Sequence, residues 1–133
     1  NDAEAELIPQ FKNEEEKENT NIYYKNSING ALNLDLQIDL EDWKDLKEIV
    51  IAGVCTDLCV LDFAKTLARL MEEINHNVHI FVVASAVSTF NAEGHNREEE
   101  TEYAFEVMRK SGIEVVDDFD HLERREKELK LVA

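Results

Sequence analysis

The strongest constraint on the fold is a strand, turn and helix unit predicted within residues 49–74. Residues 49–52 read IVIA, a run that predicts a buried strand, and Gly53 follows it as a turn residue. Apolar residues then recur with helical spacing, and this face consists of Val60, Phe63, Ala64, Leu67, Met71 and Ile74. The unit therefore places Cys59 in the first turn of a helix, at the carboxyl end of a strand, where open α/β sheets usually carry their sites.

The rest of the chain alternates strand and helix signals. Short apolar runs predict strands at residues 22–24, 78–83 and 113–116, and periodic segments predict helices at residues 36–43 and 101–108. Ser111 and Gly112 are a plausible end for the second of these helices. The charged tail from Asp117 predicts a peripheral helix. Alternating elements of this kind indicate parallel strands with helices on both sheet faces.

Composition excludes several classes of protein. The chain has 133 residues, enough for one domain, and 44% of them are apolar, which is sufficient for a core. The net charge of −16 disfavours nucleic acid and anionic membranes as partners. No apolar run is long enough for a membrane span, and no signal segment opens the chain, although its first residue is Asn1. With two cysteines, the simplest expectation is a cytoplasmic protein with reduced thiols.

Cys59 has two interpretations of equal weight on geometry alone. A thiol at a helix N-terminus is favoured as thiolate by the macrodipole and the free N–H groups, which suits a nucleophile. The alternative is a small buried core residue packed under the helix, which is where most free cysteines lie. A third reading joins Cys55 and Cys59 to His76 and His79 as a zinc site. We disfavour it because His79 falls within a strand pattern, whereas finger histidines share one helix.

Three polar residues accompany this unit. Lys25 follows a predicted strand, and parallel strands bring their carboxyl ends to one edge, so Lys25 and Cys59 are candidates to meet there. A lysine ammonium beside a thiol stabilises the thiolate. A solvated surface lysine is the ordinary alternative. Asp57 suits a helix cap, and His95 is predicted to be a loop residue.

Three stretches together resemble a known family. Residues 53–61 read GVCTDLCVL, residues 86–95 read AVSTFNAEGH, and Tyr24-Lys25 is followed at residues 33–36 by NLDL. These resemble the isochorismatase-like cysteine hydrolases, whose members include the nicotinamidases. The resemblance covers roughly residues 22–116 and is most specific at the Gly-x-x-Thr-Asp-x-Cys-Val core.

The resemblance implies a fold and an assembly. The expected fold is a three-layer α/β/α sandwich with a mostly parallel sheet, lacking the N-terminal strand region in this chain. Residues 1–133 then form a single hydrolase domain and correspond to the C-terminal portion of the family's domain. Within them, residues 117–133 are a charged peripheral tail. Homo-oligomers are common in the family, so a homo-oligomer is expected.

The resemblance also implies roles for four positions. Cys59 matches the family nucleophile, and Lys25 matches its supporting lysine. The peptide between Val54 and Cys55 matches a cis bond, and the N–H groups of Cys55 and Cys59 would form an oxyanion hole. The implied reaction is thiolate attack on a small amide such as nicotinamide. Ammonia leaves, and water then hydrolyses the thioester to nicotinic acid.

The sequence also departs from the family pattern. The catalytic aspartate and the metal ligands of the family lie upstream of anything present here, and residues 1–11 resemble the segment that follows the metal loop. No cofactor is therefore required from this chain, and a divalent, zinc-like metal would take ligands from outside it. Ile28 and Leu32 stand where nicotinamidases tend to carry aromatics, which weakens the case for a pyridine substrate.

Two alternatives follow from the missing aspartate. The chain would be a non-catalytic scaffold or interaction subunit, or it would be one piece of a two-chain hydrolase. In the second case an N-terminal segment or a second chain completes the sheet, because a sheet tolerates an open central edge badly.

Overall fold

Three parallel strands form the centre of the described structure. The computed structural model describes residues 20–124, and the strands are β1 (Glu48–Val54), β2 (His79–Ser88) and β3 (Glu114–Val116). The helices are α1 (Leu34–Asp39), α2 (Leu61–Ile74) and α3 (Arg97–Lys110), with a short helical segment at residues 119–124. These elements confirm the three strands predicted from residue 49 onward and the predicted helices. The predictions for residues 1–11 and for the end of the tail concern residues outside those described.

The sheet has the order β1-β2-β3, and both pairings are parallel. Glu48 is opposite His79, and Val54 is opposite Ser88. β2 therefore extends beyond its predicted end, because its last residues continue to pair with β1. The register is irregular between Ile51 and Gly53, where β1 approaches its carboxyl end.

Helix α2 covers one face of this sheet. Its apolar stripe is buried, and Ala64 and Leu67 are fully inaccessible, while Asp62, Lys65 and Arg69 point to solvent. This division follows the helical period of the sequence, since residues three and four apart share a face. The core on this face joins α1, α2 and α3 to β1 and β2 through Leu36, Leu40, Ile51, Val60, Leu61, Ala64, Leu67, Ala68, Met71, Ile80, Val82, Ala104, Met108 and Ile113.

The opposite face of the sheet is covered by a smaller cluster. Phe81, Val83 and Val116 are buried there, and Leu122 from the helical segment packs against them. Side chains of β2 thus enter cores on both faces, as expected for a parallel strand. The described residues form an α/β layered structure around a parallel sheet.

Residues 22–24 are not a strand, which corrects one prediction. No strand of residues 20–124 pairs with them, so their backbone groups find other partners. The side chain of Asn33 donates a hydrogen bond to the Tyr24 carbonyl at 2.8 Å. The Tyr23 hydroxyl donates to Asp39 at 2.5 Å. Side chains of the α1 region therefore hold this segment in place.

The end of α3 agrees with its predicted signal. Ser111 caps the helix, and Gly112 has a φ of +84°, a left-handed conformation that favours glycine. The Ile113 N–H then bonds to the Met108 carbonyl at 3.0 Å. This turn directs the chain straight into β3.

Candidate active site

Cys59 lies in a π-helical turn that precedes α2. The turn spans Thr56–Val60, so Cys59 is not in the first turn of the α-helix itself, as the sequence had suggested. The Val60 N–H donates to the Cys55 carbonyl at 3.0 Å, five residues back. π turns are rare and are often found at functional sites, because the wider turn redirects side chains. Here the turn begins directly after β1 ends.

The residues just before Cys59 have an unusual backbone. The peptide bond between Val54 and Cys55 is cis. Cys55 and Cys59 are both free thiols and both are partly buried. Cys55 is the N-cap of the π turn and Cys59 lies within it.

Lys25 meets Cys59 although the two residues are far apart in the sequence. Nζ of Lys25 lies 3.8 Å from Sγ of Cys59. The same ammonium donates to the carbonyl of Ser27 at 3.0 Å and to that of Ile28 at 3.4 Å. A charged amine that is shared among two carbonyls and a sulfur can stabilise a thiolate.

Two asparagines position the loop that carries Lys25. Asn29 accepts from the Ala31 N–H at 3.0 Å and donates to the Thr66 hydroxyl on α2 at 2.8 Å. Asn33 accepts from the Leu36 N–H as the N-cap of α1 while it donates to the Tyr24 carbonyl. The lysine is therefore tied to the same helix that follows the cysteine.

A cleft of about 660 Å³ opens between this loop and β1. Its walls include Lys25, Cys59 and the β1 residues from Ile49 to Val54. Two of these are exposed apolar side chains, since Val50 is 44% and Val54 is 66% accessible. None of the described residues that line the cleft is Asp or Glu. Within residues 20–124, the cleft thus holds a thiol and an amine without a carboxylate.

Asp57 pairs with His95 and does not cap the helix, which corrects the expected role. No side chain makes a capping hydrogen bond at the start of the π turn. Oδ2 of Asp57 lies 2.7 Å from Nε2 of His95, and the Asp57 side chain is only 4% exposed. Nδ1 of His95 lies 3.1 Å from the Phe90 carbonyl oxygen. The Phe90 and His95 rings also stack with centroids 4.0 Å apart.

The pair shifts the acidity of both groups. The hydrogen bond and charge of Asp57 raise the pKa of His95 above 6.5, against a smaller effect of burial. Burial raises the pKa of Asp57, but Thr89, His95 and its own backbone N–H outweigh burial and bring it below 3.8. Oδ1 of Asp57 and Oγ1 of Thr89 are buried and have no well-aligned hydrogen-bond partner among residues 20–124. The Thr89 hydroxyl therefore lowers the pKa of Asp57 by lying near the carboxylate.

The described residues do not offer a good metal site. Ligand atoms of Asp57, His95 and Glu100 lie within 4.8 Å of one another. However, two ligand atoms on one zinc ion are about 3 Å or more apart, whereas Oδ2 and Nε2 are in direct hydrogen-bond contact at 2.7 Å. The second nitrogen of His95 is occupied by a carbonyl. We therefore interpret this group as an ion pair.

The zinc site that we disfavoured from the sequence, with Cys55 and Cys59 joined to His76 and His79, does not form. Glu48 at the start of β1 is opposite His79, whereas Cys55 follows the end of that strand. Seven strand residues separate the two ends by about 20 Å. His76 lies in the turn just before β2, near His79 and far from the cysteines.

We did not predict the Asp57–His95 contact from the sequence, although the order of the predicted strands indicated it. Asp57 follows β1 and His95 follows β2, and these parallel neighbours end at the same edge. The same argument had suggested Lys25 as a neighbour of Cys59. Gly94, with a φ of +76°, allows the tight turn that returns His95 toward Asp57.

Comparison with known proteins identifies the family. Residues 1–118 match the isochorismatase domain. The chain belongs to the isochorismatase family. The motif around Cys59, the π turn and the residues that meet there all lie within the matched region of this isochorismatase domain.

Two curated relatives have similar sequences. The isochorismatase family protein PncA of Bacillus subtilis (strain 168) is 32% identical over 94 residues, covering 71% of this chain and 48% of the relative. Nicotinamidase 1 of Arabidopsis thaliana is 36% identical over 81 residues, covering 56% of this chain and 32% of the relative. The isochorismatase-family chain described here therefore spans about half or less of the length of these relatives.

Solved structures share the isochorismatase-like fold. Nicotinamidase PncA from Bacillus subtilis superposes with a TM-score of 0.64 at 24% identity, over 82% of this chain and 53% of the other. The YcaC gene product of Escherichia coli, described as an octameric hydrolase of unknown specificity, gives a TM-score of 0.61 at 26% identity, over 84% and 48%. Among residues 20–124, no helix has the length and apolar character needed to cross a membrane.

Proposed function

We propose that this chain carries the cysteine centre of a hydrolase that cleaves the C–N bond of a small amide, such as nicotinamide. The observation that carries the proposal is the 3.8 Å approach of the Lys25 ammonium to the Cys59 sulfur, at the wall of an open cleft. Family membership and the relative named as a nicotinamidase support an amide as the substrate.

In the proposed reaction, Cys59 is the nucleophile. Its thiolate sulfur bonds to the amide carbonyl carbon, and the C–N bond breaks as the nitrogen takes up a proton and leaves as ammonia. Water then attacks the thioester, so the carboxylic acid is released and the thiol is regenerated. Lys25 stabilises the thiolate before attack, because its positive charge lies beside the sulfur.

The oxyanion of the tetrahedral intermediate needs hydrogen-bond donors. The family resemblance assigns this role to the N–H groups of Cys55 and Cys59. Support comes from the π turn at the end of β1, which has Cys55 as its N-cap and contains Cys59. Donors fixed in this way stabilise developing charge without having to reorganise.

We propose that an acidic proton carrier for the leaving nitrogen comes from outside the described residues, because no Asp or Glu among them lines the cleft. We propose that a further parallel strand, from an upstream segment or a second polypeptide, pairs with β1 and brings an acidic side chain to Cys59. Two observations support this strand. β1 has a neighbour on one side only within residues 20–124, and its exposed Val50 and Val54 face the cleft. An open apolar edge of this kind favours strand addition.

The proposal is tested by ammonia release from a panel of small amides. The assay compares residues 1–133 with the polypeptide encoded by the complete gene, whatever its length. We expect Cys59→Ala to abolish ammonia release and Lys65→Ala, on the exposed face of α2, to leave it unchanged. A thioester on Cys59, trapped by acid quenching and located by mass spectrometry, would identify the nucleophile. Normal turnover by Cys59→Ala would refute the proposal.

One observation favours a second candidate function. The described cleft contains no carboxylate, so an isochorismatase-like scaffold without catalysis is the alternative. The polypeptide encoded by the complete gene discriminates the two functions. If it releases no ammonia from any amide and yields no acyl adduct on Cys59, the scaffold is the better interpretation.

We also propose that the protein is a homo-oligomer. An exposed apolar surface, formed by Leu32, Leu34 and Ile38, lies on and beside α1. The octameric state described for the structurally similar Escherichia coli hydrolase supports self-association of this chain. Light scattering after gel filtration measures the mass, and Ile38→Glu should lower it if this surface is the contact. A monomeric wild-type protein would contradict the proposal.

A further inference from the structure

The pair formed by Asp57 and His95 is close to the proposed nucleophile but takes no part in the mechanism given above. Asp57 belongs to the same π turn as Cys59, two positions before it. His95 comes from the loop after β2, and the two side chains meet at 2.7 Å. The pair therefore joins the cysteine turn to a neighbouring strand end.

His95 is held from three directions. Its ring is stacked on Phe90, with an angle of 13° between the planes. Its backbone forms a two-way bridge with Ala92, and both hydrogen bonds measure 3.0 Å. Asn96, the next residue, caps α3 by accepting from the Glu99 N–H at 3.1 Å. A side chain held this firmly can act as a fixed point for Asp57.

The contacts of His95 determine its protonation. Nδ1 faces the Phe90 carbonyl oxygen, and Nε2 faces the Asp57 carboxylate. Both partners can only accept, because the carboxylate is ionised, so both ring nitrogens must donate. The charged groups that face the ring are Asp57 and Glu100, and both are acidic. The ring is therefore an imidazolium.

We infer that His95, in its imidazolium form, is a positioning residue that fixes the π turn through Asp57 and so keeps Cys59 directed at Lys25 and the cleft. This inference rests on the proposed role of Cys59. When the ring loses a proton, the remaining proton stays on Nε2 against the Asp57 carboxylate, and Nδ1 becomes an acceptor that faces the Phe90 carbonyl oxygen. The positive charge beside the carboxylate and the hydrogen bond that holds the ring to Phe90 are then both lost, and the turn relaxes.

The test measures alkylation of Cys59 by iodoacetamide on the full chain, with tandem mass spectrometry separating Cys59 from Cys55. Rates are recorded from about pH 6 to about pH 9, a range that spans the ordinary pKa values of His and Cys. The variants are His95→Ala, His95→Gln and the matched control His76→Ala, an exposed histidine in the turn before β2. Circular dichroism confirms that each variant folds.

We expect His95→Ala to slow alkylation roughly tenfold near neutral pH, since small displacements of a positioned group cost up to about 100-fold. His76→Ala should match the wild type. The wild-type rate is divided by the Cys59 thiolate fraction, taken from the difference in ultraviolet absorbance between wild type and Cys59→Ala. This corrected rate should fall as His95 deprotonates. His95→Gln, which still donates an N–H to Asp57 but does not titrate, should lack this fall.

Three results would overturn the inference. The first is equal alkylation of His95→Ala and His76→Ala. The second, decisive also if His95→Ala fails to fold, is the same corrected pH profile for His95→Gln and wild type. The third is a nitrogen NMR spectrum in which His95 carries a single ring proton near pH 6. None of these experiments measures amide hydrolysis, so a failure of the amidase proposal would leave them unaffected.

Discussion

The Lys25 ammonium lies 3.8 Å from the Cys59 sulfur, and two different parts of the chain create this approach. Lys25 stands in a loop tied to α1 and α2 by the side chains of Asn33 and Asn29. Cys59 stands in a π turn tied to the loop after β2 by Asp57 and His95. The contact thus depends on two separate sets of hydrogen bonds. One set holds the loop that carries Lys25, and the other holds the π turn that precedes α2.

Replacing Lys25 with alanine should slow alkylation of Cys59 near neutral pH. Removing the ammonium takes away the positive charge that lies beside the sulfur and that favours attack by the thiolate. Iodoacetamide kinetics measure the effect, and Lys65→Ala is the matched control because Lys65 points to solvent from α2. An alkylation profile identical to that of the control would remove Lys25 from the site.

The Asp57–His95 pair should make stability depend on pH in a defined window. The raised pKa of His95 adds stability that is complete below pH 6.5 and is lost as pH rises through the folded value. The lowered pKa of Asp57 adds stability that is present above pH 3.8 and is lost as pH falls through the folded value. The contribution of the pair is therefore greatest between these two limits.

Urea denaturation of wild type, His95→Ala and His76→Ala measures this contribution. The difference between wild type and His95→Ala should be greatest at mildly acidic pH and should shrink at alkaline pH. His76→Ala should follow the wild type throughout. A difference that is constant with pH would contradict the ionic character of the pair.

The pKa of the Tyr23 hydroxyl should be well above that of an ordinary tyrosine. The hydrogen bond to Asp39, helped by burial and by nearby carboxylates, raises the pKa of Tyr23 to about 12. Because the folded pKa is raised, its stabilising effect is present below pH 10.0 and is lost as pH rises toward about 12. Ultraviolet titration of wild type against Tyr23→Phe isolates this phenol.

The same substitution should also lower stability near neutral pH. Losing one hydrogen bond to a carboxylate costs about 1 kcal/mol in the free energy of unfolding, and this contact is partly exposed. Tyr24→Phe is the control, since Tyr24 is 67% exposed. Equal unfolding midpoints for the two variants would show that the Tyr23 contact contributes nothing to stability.

Met71→Ala should destabilise the protein by about 2–5 kcal/mol, the usual cost of a large-to-small change in a core. Met71 is 1% exposed in the cluster between α2 and the sheet. Glu73→Ala, two positions further along on the exposed face, should change stability by less than about 0.5 kcal/mol. Chemical unfolding measures both, and equal effects would contradict the described packing of α2.

Local patterns account for what the sequence predicted correctly. The spacing of apolar residues along α2 is a property of one segment and can be seen in the sequence alone. A helix with one apolar face is stable in water mainly when that face is buried against another element, here the sheet. The same holds for the three strands from residue 49 onward, and Gly112 signals the end of α3 by its required backbone conformation. The motif around Cys59 was likewise sufficient to indicate the family that residues 1–118 match.

Only the tertiary structure decided the arrangement around Cys59. We predicted a strand at residues 22–24 from their apolar content alone, and this prediction was wrong. A strand needs a neighbouring strand to pair with, and residues 22–24 have none among residues 20–124. The π turn and the partner of Asp57 depend on how β1 and β2 end side by side, which a single segment does not encode. The sequence therefore established a thiol after a strand, whereas the packing of neighbouring strand ends placed His95 against Asp57 and Lys25 against Cys59.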